Sequence, residues 1–390
     1  MCGIIGVTGE PDALPLILGA LHKLEYRGYD SAGVALVVDG EIWRERAADG
    51  TRSVADLAAR TADQGPLAVG VGAAAGVSAG IGHTRWATHG HPTEDNAHPH
   101  LDCTGRLAII HNGIIENHAA LRAQLTAAGH TMTSATDTEV VAHLIEEHMG
   151  GSGGLSLADA TRAALDAVRG AFSIALVHAD EPNTIVAARR ATPLVLGLRD
   201  GVALLASDIP ALLGHAEQLF ALGDDELAVL TPGHISVTTL AGDPVIPEEL
   251  HITWDLEAAQ KDGYEDFMSK EMHEQPQAVA NTLLDRRDTS GRLALDEMRL
   301  RPEELRQVDK VFIVACGSSY HAALVAKYAI ERWVKLPVEV DIASEFRYRD
   351  PVLTSRTLCV GVSQSGETLD TSKAMQEASL GTMFSDIPIK

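Results

Sequence analysis

Several features that would fix the class of a protein are scarce in this chain of 390 residues. Its four cysteines, at positions 2, 103, 316 and 359, are widely spaced and form no CxxC pair. That usage excludes a disulfide framework and predicts a reducing, cytoplasmic setting. The one long uncharged stretch, Pro66–Gly82, is too short and too rich in glycine to span a bilayer, so no membrane association is expected. We interpret it as a loop that leads into a strand.

Positive charge is also scarce. Lysine and arginine number 31 against 54 acidic residues, which gives a formal net charge of −23. Such a chain repels phosphate backbones, so a nucleic-acid partner is excluded. Apolar residues make up 45% and charged residues 22%, as in globular proteins, and the length allows two or three domains.

The first part of the chain alternates short apolar strands with a few amphipathic helices, a pattern that predicts stacked sheets covered by helices. The predicted strands are Gly33–Val38, Arg106–Asn112, Ala171–Val177 and Glu226–Thr231, and the predicted helices are Asn117–Gly129 and Thr136–Met149.

A change of pattern follows Gly242–Leu250, a segment rich in proline and acidic residues that predicts a domain boundary. Beyond it, Val311–Cys316, Pro337–Ala343 and Thr357–Val362 read as apolar strands separated by helical sequence. Regular alternation of strand and helix predicts a parallel, doubly wound sheet.

The chain opens with MCGIIG, which places Cys2 directly after the initiator methionine. Removal of Met1 would give Cys2 both a thiol and a free α-amine, the two groups that a self-activating nucleophile needs. The alternative is that Cys2 is one more small buried apolar residue.

Four further residues carry groups that would suit an amino-acid substrate. Arg85 ends an apolar strand and could hold a carboxylate, or it could form a surface salt bridge. Asn112 and Gly113 could supply an oxyanion hole, or only a turn. Asp137 precedes a helix and could hold an ammonium group, or cap that helix.

The segment His83–His100 contains five histidines, but their spacing matches no paired-ligand pattern, so no metal is predicted there. In the second half, the turns CGSSY (316–320) and SQSGET (363–368) each follow a strand and open a helix. Hydroxyls and unpaired backbone N–H groups at helix N-termini predict a phosphate site, whereas helix capping would explain one such turn alone.

The motifs MCGIIG, LEYRGYDSAG, HTRWATHG, NAHPH, HNGIIENH and TDTEV resemble the glutaminase domain of the N-terminal-nucleophile (class II) amidotransferases. The resemblance implies a four-layered α-β-β-α fold and hydrolysis of glutamine over residues 2–240. It implies a role for eight residues: Cys2 as nucleophile, Asn112 and Gly113 as oxyanion hole, Arg85 and Asp137 as carboxylate and ammonium partners, and Trp86, Thr88 and His89 around the glutamine pocket.

The second half resembles the first sugar-isomerase (SIS) domain of the glutamine–fructose-6-phosphate aminotransferase family, through CGSSY, ASEFRYR (343–349) and SQSGET. The resemblance implies a linker over 241–300, a partial sugar-isomerase domain over 301–390, and no metal or organic cofactor. It assigns the sugar phosphate to Ser318, Ser319, Ser363, Gln364, Ser365 and Thr368.

That family makes glucosamine 6-phosphate from glutamine and fructose 6-phosphate, and it is homodimeric. Its sequences continue beyond the last residue here, through residues that carry out the sugar chemistry. We therefore expect this chain to hydrolyse glutamine without making the amino sugar unaided. The alternatives are a non-catalytic regulatory subunit paired with a longer homologue, and a glutaminase that donates ammonia to another acceptor.

Overall fold

The computed structural model describes residues 2–48, 50–64, 77–86, 90–150, 154–250, 264, 267–283, 302–363 and 368–381. The chain divides into two compact units, Met1–Phe267 and Met268–Lys390. Each unit has its own architecture and its own hydrophobic core.

The first unit contains two antiparallel sheets. In spatial order, the eight-stranded sheet consists of β15 (Glu248–Glu249), β11 (Gln218–Ala221), β9 (Val195–Arg199), β10 (Val202–Ala206), β1 (Gly3–Thr8), β4 (Val77–Arg85), β2 (Ser31–Val38) and β3 (Glu41–Ala47). The seven-stranded sheet consists of β14 (Pro244–Val245), β13 (His234–Thr239), β12 (Glu226–Thr231), β8 (Ile185–Arg190), β7 (Gly170–His178), β6 (Leu107–Ile115) and β5 (His100–Leu101).

Helices cover the outer face of each sheet. The eight-stranded sheet carries α1 (Ala13–Lys23) and α2 (Ser53–Gln64), and the seven-stranded sheet carries α3 (His118–Ala128), α4 (Glu139–Met149) and α5 (Leu157–Asp166). A third core lies between the two sheets. This is the predicted α-β-β-α arrangement, and all four strands predicted for this part of the chain are present.

The two-residue period of a strand decides which side chains reach the layer between the sheets. On β6, Ala108 and Ile110 pack in the core between the sheets, whereas Leu107 and Ile109 pack against the helices. Asn112 continues the inner series, three residues before the end of the strand. The same period places functional side chains of β4 in the inner layer.

The segment Gly242–Leu250 contributes the short strands β14 and β15, one to the edge of each sheet. Proline is tolerated at such edges, because an edge residue need not donate a ladder hydrogen bond. The predicted limits of the domains (2–240, 241–300 and 301–390) stay a prediction.

The second unit contains a three-stranded parallel sheet in the order β17-β16-β18. Its elements are α6 (Phe267–Leu283), α7 (Pro302–Leu305), β16 (Lys310–Ala315), α8 (Gly317–Trp333), β17 (Val338–Ile342), α9 (Ala343–Tyr348), β18 (Thr357–Val362) and α10 (Leu369–Gly381). Core residues of α8 pack on one face, and those of α9 and α10 pack on the other. The sheet is therefore doubly wound, as predicted. None of the helices in the described part of the chain has the length and hydrophobicity that crossing a bilayer requires.

Candidate active site

Cys2 is partly buried immediately before β1. Because Gly3 pairs with Thr84 in the antiparallel β1–β4 ladder, Cys2 comes opposite the end of β4. Its Sγ accepts a hydrogen bond from the Trp86 backbone N–H at 3.2 Å. Burial raises the pKa of the Cys2 thiol, while the Trp86 N–H and the positive charges of Arg85 and Arg27 act in the opposite direction. Burial therefore disfavours the thiolate form of Cys2, while the Trp86 N–H and the two arginines stabilise it.

The Asn112 amide faces Cys2 from the other sheet. Its Nδ2 donates to the Cys2 carbonyl oxygen at 2.9 Å, and its Oδ1 lies 3.0 Å from His83 Nε2. His83 Nε2 also lies 3.1 Å from the His111 carbonyl oxygen. Since both neighbours of Nε2 are acceptors, the hydrogen-bond network assigns the proton of His83 to Nε2. The amide orientation is thereby fixed at both ends.

Gly113 follows Asn112 and has a φ of +130°, a conformation that favours glycine. A Cβ at this position would lie 2.0 Å from the Ala171 carbonyl oxygen of the neighbouring strand β7. Only glycine therefore fits this point of the β6–β7 ladder.

Arg85 and Asp137 are both buried beside Cys2 and Asn112. The Arg85 guanidinium donates to the carbonyl oxygens of Gly90 at 3.1 Å and His91 at 3.4 Å. Burial lowers the pKa of Arg85, and the negative charge of Asp137 is among the groups that oppose this shift. The two buried side chains of opposite charge therefore interact electrostatically.

Asp137 does not cap the helix that follows it. Its Oδ2 accepts a hydrogen bond of 2.7 Å from the Ile115 backbone N–H, and α4 begins at Glu139 without a side-chain cap from Thr138. The carboxylate is therefore held against the end of β6, two residues beyond Gly113. Of the pocket residues predicted around it, Trp86 is about half exposed and packs edge-on against Tyr29. Thr88 and His89 lie outside the described residues.

Three further residues support the site in roles that the sequence did not predict, and two of them, His83 and Arg27, are buried. His83 orients Asn112, as described above. Arg27 donates from Nε to the Cys2 carbonyl oxygen at 3.2 Å and from Nη1 to Asp208 at 2.6 Å. The alternation of β4 could have indicated His83, because it lies two residues before Arg85 on the same face. No local pattern indicates Arg27 or Asp208, which are 181 residues apart.

A layer of neutral histidines lies behind the site. His83, His98 and His100 stack in sequence, with ring centroids 4.2 and 4.6 Å apart. Burial lowers the pKa of His83 to about 3 and those of His98 and His100 well below the ordinary range. Thr138 Oγ1 joins this layer to β6, since it lies 2.9 Å from His98 Nε2 and 2.8 Å from His111 Nδ1.

In the second unit, the two predicted phosphate turns follow adjacent parallel strands, β16 and β18, whose last residues Ala315 and Val362 are paired. Ser318 and Ser319 lie in the first turn of α8, and Ser363 Oγ lies 3.1 Å from Thr368 Oγ1. Carboxyl ends of neighbouring parallel strands form one edge, where ligands of such sheets bind. Gln364 and Ser365 lie outside the described residues.

Comparison with protein families agrees with the division of the chain into two units. Residues 83–214 match the model of the glutamine amidotransferase domain, and residues 304–380 match that of the SIS domain. The chain is 50% identical over 378 residues to the glutamine–fructose-6-phosphate aminotransferase (isomerizing) of Streptomyces coelicolor, covering 97% of this chain and 59% of that protein. The enzyme of the same name from Mycolicibacterium smegmatis is also 50% identical, over 387 residues, with 97% and 60% covered.

The fold has a solved relative of low sequence identity. It is the glutamine phosphoribosylpyrophosphate amidotransferase from B. subtilis complexed with ADP and GMP, with a TM-score of 0.51 and 20% identity over 91% of this chain and 69% of that one. At that identity the likeness concerns the fold alone. With respect to the two aminotransferases named above, the chain spans about three fifths of the length of the curated relatives that it matches.

Proposed function

Because the chain belongs to the glutamine–fructose-6-phosphate aminotransferase family, we propose that its first unit hydrolyses L-glutamine at Cys2. One observation carries this proposal: the Cys2 thiol, the Asn112 amide and the Arg85 guanidinium converge from three strands of two different sheets. Packing alone does not require these residues, which are far apart in sequence, to surround the thiol of the N-terminal cysteine.

We assign the substrate's two charged groups to the two buried side chains of opposite sign. The guanidinium of Arg85 binds the α-carboxylate and the carboxylate of Asp137 binds the α-ammonium group. The side-chain amide of glutamine then extends toward Cys2. Trp86, Thr88 and His89 are proposed to close the pocket over it.

The nucleophile is proposed to act through its own terminus. After removal of Met1, the α-amine of Cys2 accepts the thiol proton, since α-amines as a class have pKa values of about 8. The thiolate attacks the δ-carbon of glutamine, and the developing oxyanion accepts hydrogen bonds from the second Nδ2 hydrogen of Asn112 and from the Gly113 N–H. The C–N bond breaks, the amine returns its proton to the departing nitrogen as ammonia leaves, and water hydrolyses the thioester to glutamate.

The sugar-phosphate site is a second proposal for the second unit. Ser318, Ser319, Ser363 and Thr368 lie at one sheet edge, and Gln364 and Ser365 belong to the same predicted turn. We propose that this edge binds the phosphate of fructose 6-phosphate, and that the family reaction transfers the ammonia to this sugar.

The test uses the full chain, with loss of Met1 verified by intact mass. Incubation with glutamine should release glutamate and ammonia in equal amounts, and an electrophilic glutamine mimic should label Cys2. Cys2→Ala should abolish both signals. Glutamate release by Cys2→Ala would contradict the role of Cys2 as nucleophile, whereas no release from a correctly processed wild-type chain would contradict the glutaminase and favour the regulatory subunit.

The same incubation with fructose 6-phosphate distinguishes the remaining functions. Free ammonia without glucosamine 6-phosphate agrees with the expectation that this chain hydrolyses glutamine without making the amino sugar unaided. A partner enzyme would then supply the molecule that accepts the ammonia. Formation of glucosamine 6-phosphate would show that the expectation is wrong. Binding of the sugar phosphate is measured separately by calorimetry, with Ser363→Ala expected to weaken it.

A further inference from the structure

Four potential metal ligands meet on the first unit, away from the candidate active site. They are Cys103, His130, His143 and Glu146, which we call the Cys103 cluster, and their ligand atoms all lie within 4.8 Å of one another. We propose that the Cys103 cluster binds one Zn²⁺ ion in a structural role. The proposal does not depend on the glutaminase activity.

Four of the six distances within the cluster match the edges of a tetrahedron, and the other two are no longer than 4.8 Å. Cys103 Sγ lies 3.5 Å from Nδ1 of His130 and 3.5 Å from Nδ1 of His143. The two Nδ1 atoms lie 3.1 and 3.0 Å from Glu146 Oε2. A tetrahedral Zn²⁺, with bonds of about 2.3 Å to sulfur and about 2.0 Å to nitrogen and oxygen, separates sulfur from nitrogen by about 3.5 Å and nitrogen from oxygen by about 3.3 Å.

Hydrogen bonds from the backbone satisfy part of the cluster, since Glu146 Oε2 accepts from the Cys103 N–H at 3.0 Å and Cys103 Sγ accepts from the Thr131 N–H at 3.4 Å, but they leave the two imidazoles shared between these atoms. Each Nδ1 carries at most one hydrogen, yet each lies between the Cys103 sulfur and the Glu146 carboxylate. One hydrogen can satisfy only one of these two neighbours well. A single divalent cation bound by all four atoms satisfies every one of them.

Carboxylates also lie behind both imidazoles, where the outer shell of a metal site places them. His130 Nε2 lies 3.4 Å from Glu147 Oε1, and His143 Nε2 lies 3.9 Å from Glu139 Oε1. A ligating histidine almost always directs its other ring nitrogen to a carboxylate, a carbonyl or water. His143 is almost completely buried, and in the described part of the chain its Nε2 has no partner within hydrogen-bond distance, the nearest carboxylate being that of Glu139.

The four ligands come from three segments of the first unit, so a bound ion would hold these segments together. Cys103 lies in the turn between β5 and β6, His130 follows α3, and His143 and Glu146 are three residues apart on α4. Four protein ligands leave no open coordination position, which is typical of a structural zinc site. The ion would fix α4, which begins beside Asp137, to the turn that leads into β6.

The test measures zinc on the full chain in a Cys2→Ala background, because a terminal thiol and amine could also chelate the ion. After treatment with a chelator and addition of ZnCl₂, gel filtration followed by elemental analysis should find one equivalent of zinc. The same protein loaded with Co²⁺ should show the thiolate-to-metal absorption and the visible bands of a tetrahedral site. Thermal unfolding should shift to higher temperature when zinc is added.

Variants assign the ion to this cluster. Cys103→Ser should remove the thiolate absorption, and His130→Asn should weaken zinc binding more than tenfold, while Glu147→Gln should weaken it about tenfold through the outer shell. His148→Asn, on the same helix but outside the cluster, should bind zinc like the parent. Absence of bound zinc in the parent, or full retention of one equivalent in both Cys103→Ser and His130→Asn, would overturn the proposal.

Discussion

At the scale of single residues, the Asn112 amide is held at both ends by hydrogen bonds in the candidate active site. Its oxygen is held by His83 and its nitrogen by the Cys2 carbonyl oxygen, so it cannot rotate without losing a hydrogen bond. A donor fixed in this way costs little reorganisation when the oxyanion forms, and such preorganised donors contribute strongly to acyl-transfer catalysis.

Asn112→Asp replaces this donor by an acceptor of the same shape. We expect kcat for glutamine hydrolysis to fall by about 10²–10³-fold, as for the loss of one oxyanion donor, with a smaller effect on KM. Asn117→Asp is the matched control, because Asn117 contacts Ala167 and Arg169 instead of the site. Equal kcat values for Asn112→Asp and the wild type would remove Asn112 from the oxyanion hole.

The neutral histidine layer predicts sensitivity to acid. His83, His98 and His100 have pKa values lowered by burial in the folded protein, to about 3 for His83, whereas an exposed histidine titrates near 6.5. Below about pH 6.5 the unfolded chain binds these protons and the folded chain does not, so the free energy of unfolding falls as the pH falls. Each histidine contributes up to about 1.4 kcal/mol per pH unit.

Urea denaturation at about pH 7, 6 and 5 measures this slope. His100→Gln should reduce the slope, whereas replacement of the exposed His234 by Gln should leave it unchanged. A slope that His100→Gln does not alter would mean that the buried layer does not control the response to acid.

How far the sequence predicts the site depends on where each residue stands in the chain. Arg85 ends an apolar strand, Asn112 lies near the end of another and Asp137 precedes a helix, so the sequence could indicate each as a candidate, but not that two different sheets bring them together. His83 and Arg27 act through partners that only the fold brings near, such as Asp208. The Cys103 cluster could not be predicted from the sequence either, because its ligands come from three separate segments and do not show the spacing of a known metal-binding motif.

At the scale of elements, the strand pattern was sufficient to predict the two stacked sheets and the parallel sheet. The pairing order of the strands was not, because strand order depends on contacts between distant segments. The segment Gly242–Leu250 illustrates the difference, since its prolines indicated a boundary while its residues pair at the edges of both sheets. Local composition does not reveal such edge pairing.

The pairing of β6 with β7 at Gly113 predicts a loss of stability when this glycine is replaced. Gly113→Ala places a methyl group against a backbone carbonyl of β7, in a backbone conformation that itself costs about 1–3 kcal/mol for a residue other than glycine. Gly242→Ala is the matched control, because its φ of +98° is also positive but no atom lies within 4 Å of the added Cβ. Urea denaturation should show a clearly greater loss of stability for Gly113→Ala. Equal losses would mean that the ladder adjusts to the methyl group.

At the scale of the whole molecule, the two units have separate cores. Three hydrophobic clusters lie in the first unit, and two smaller ones surround the three-stranded sheet of the second. Because the free energy of unfolding depends mainly on buried apolar area, two cores of unequal size are expected to unfold in separate steps. The second unit, with fewer buried residues, should unfold first.

Calorimetry of the full chain should therefore show two transitions. Glutamine bound reversibly by the Cys2→Ala chain should raise the temperature of the upper transition alone, because a ligand that binds only the folded first unit stabilises that unit. Hydrogen exchange followed by mass spectrometry assigns each transition, since peptides of β16 and α8 should exchange before those of β6 and β7. A single transition in which both sets of peptides exchange together would show instead that the chain unfolds as one cooperative unit.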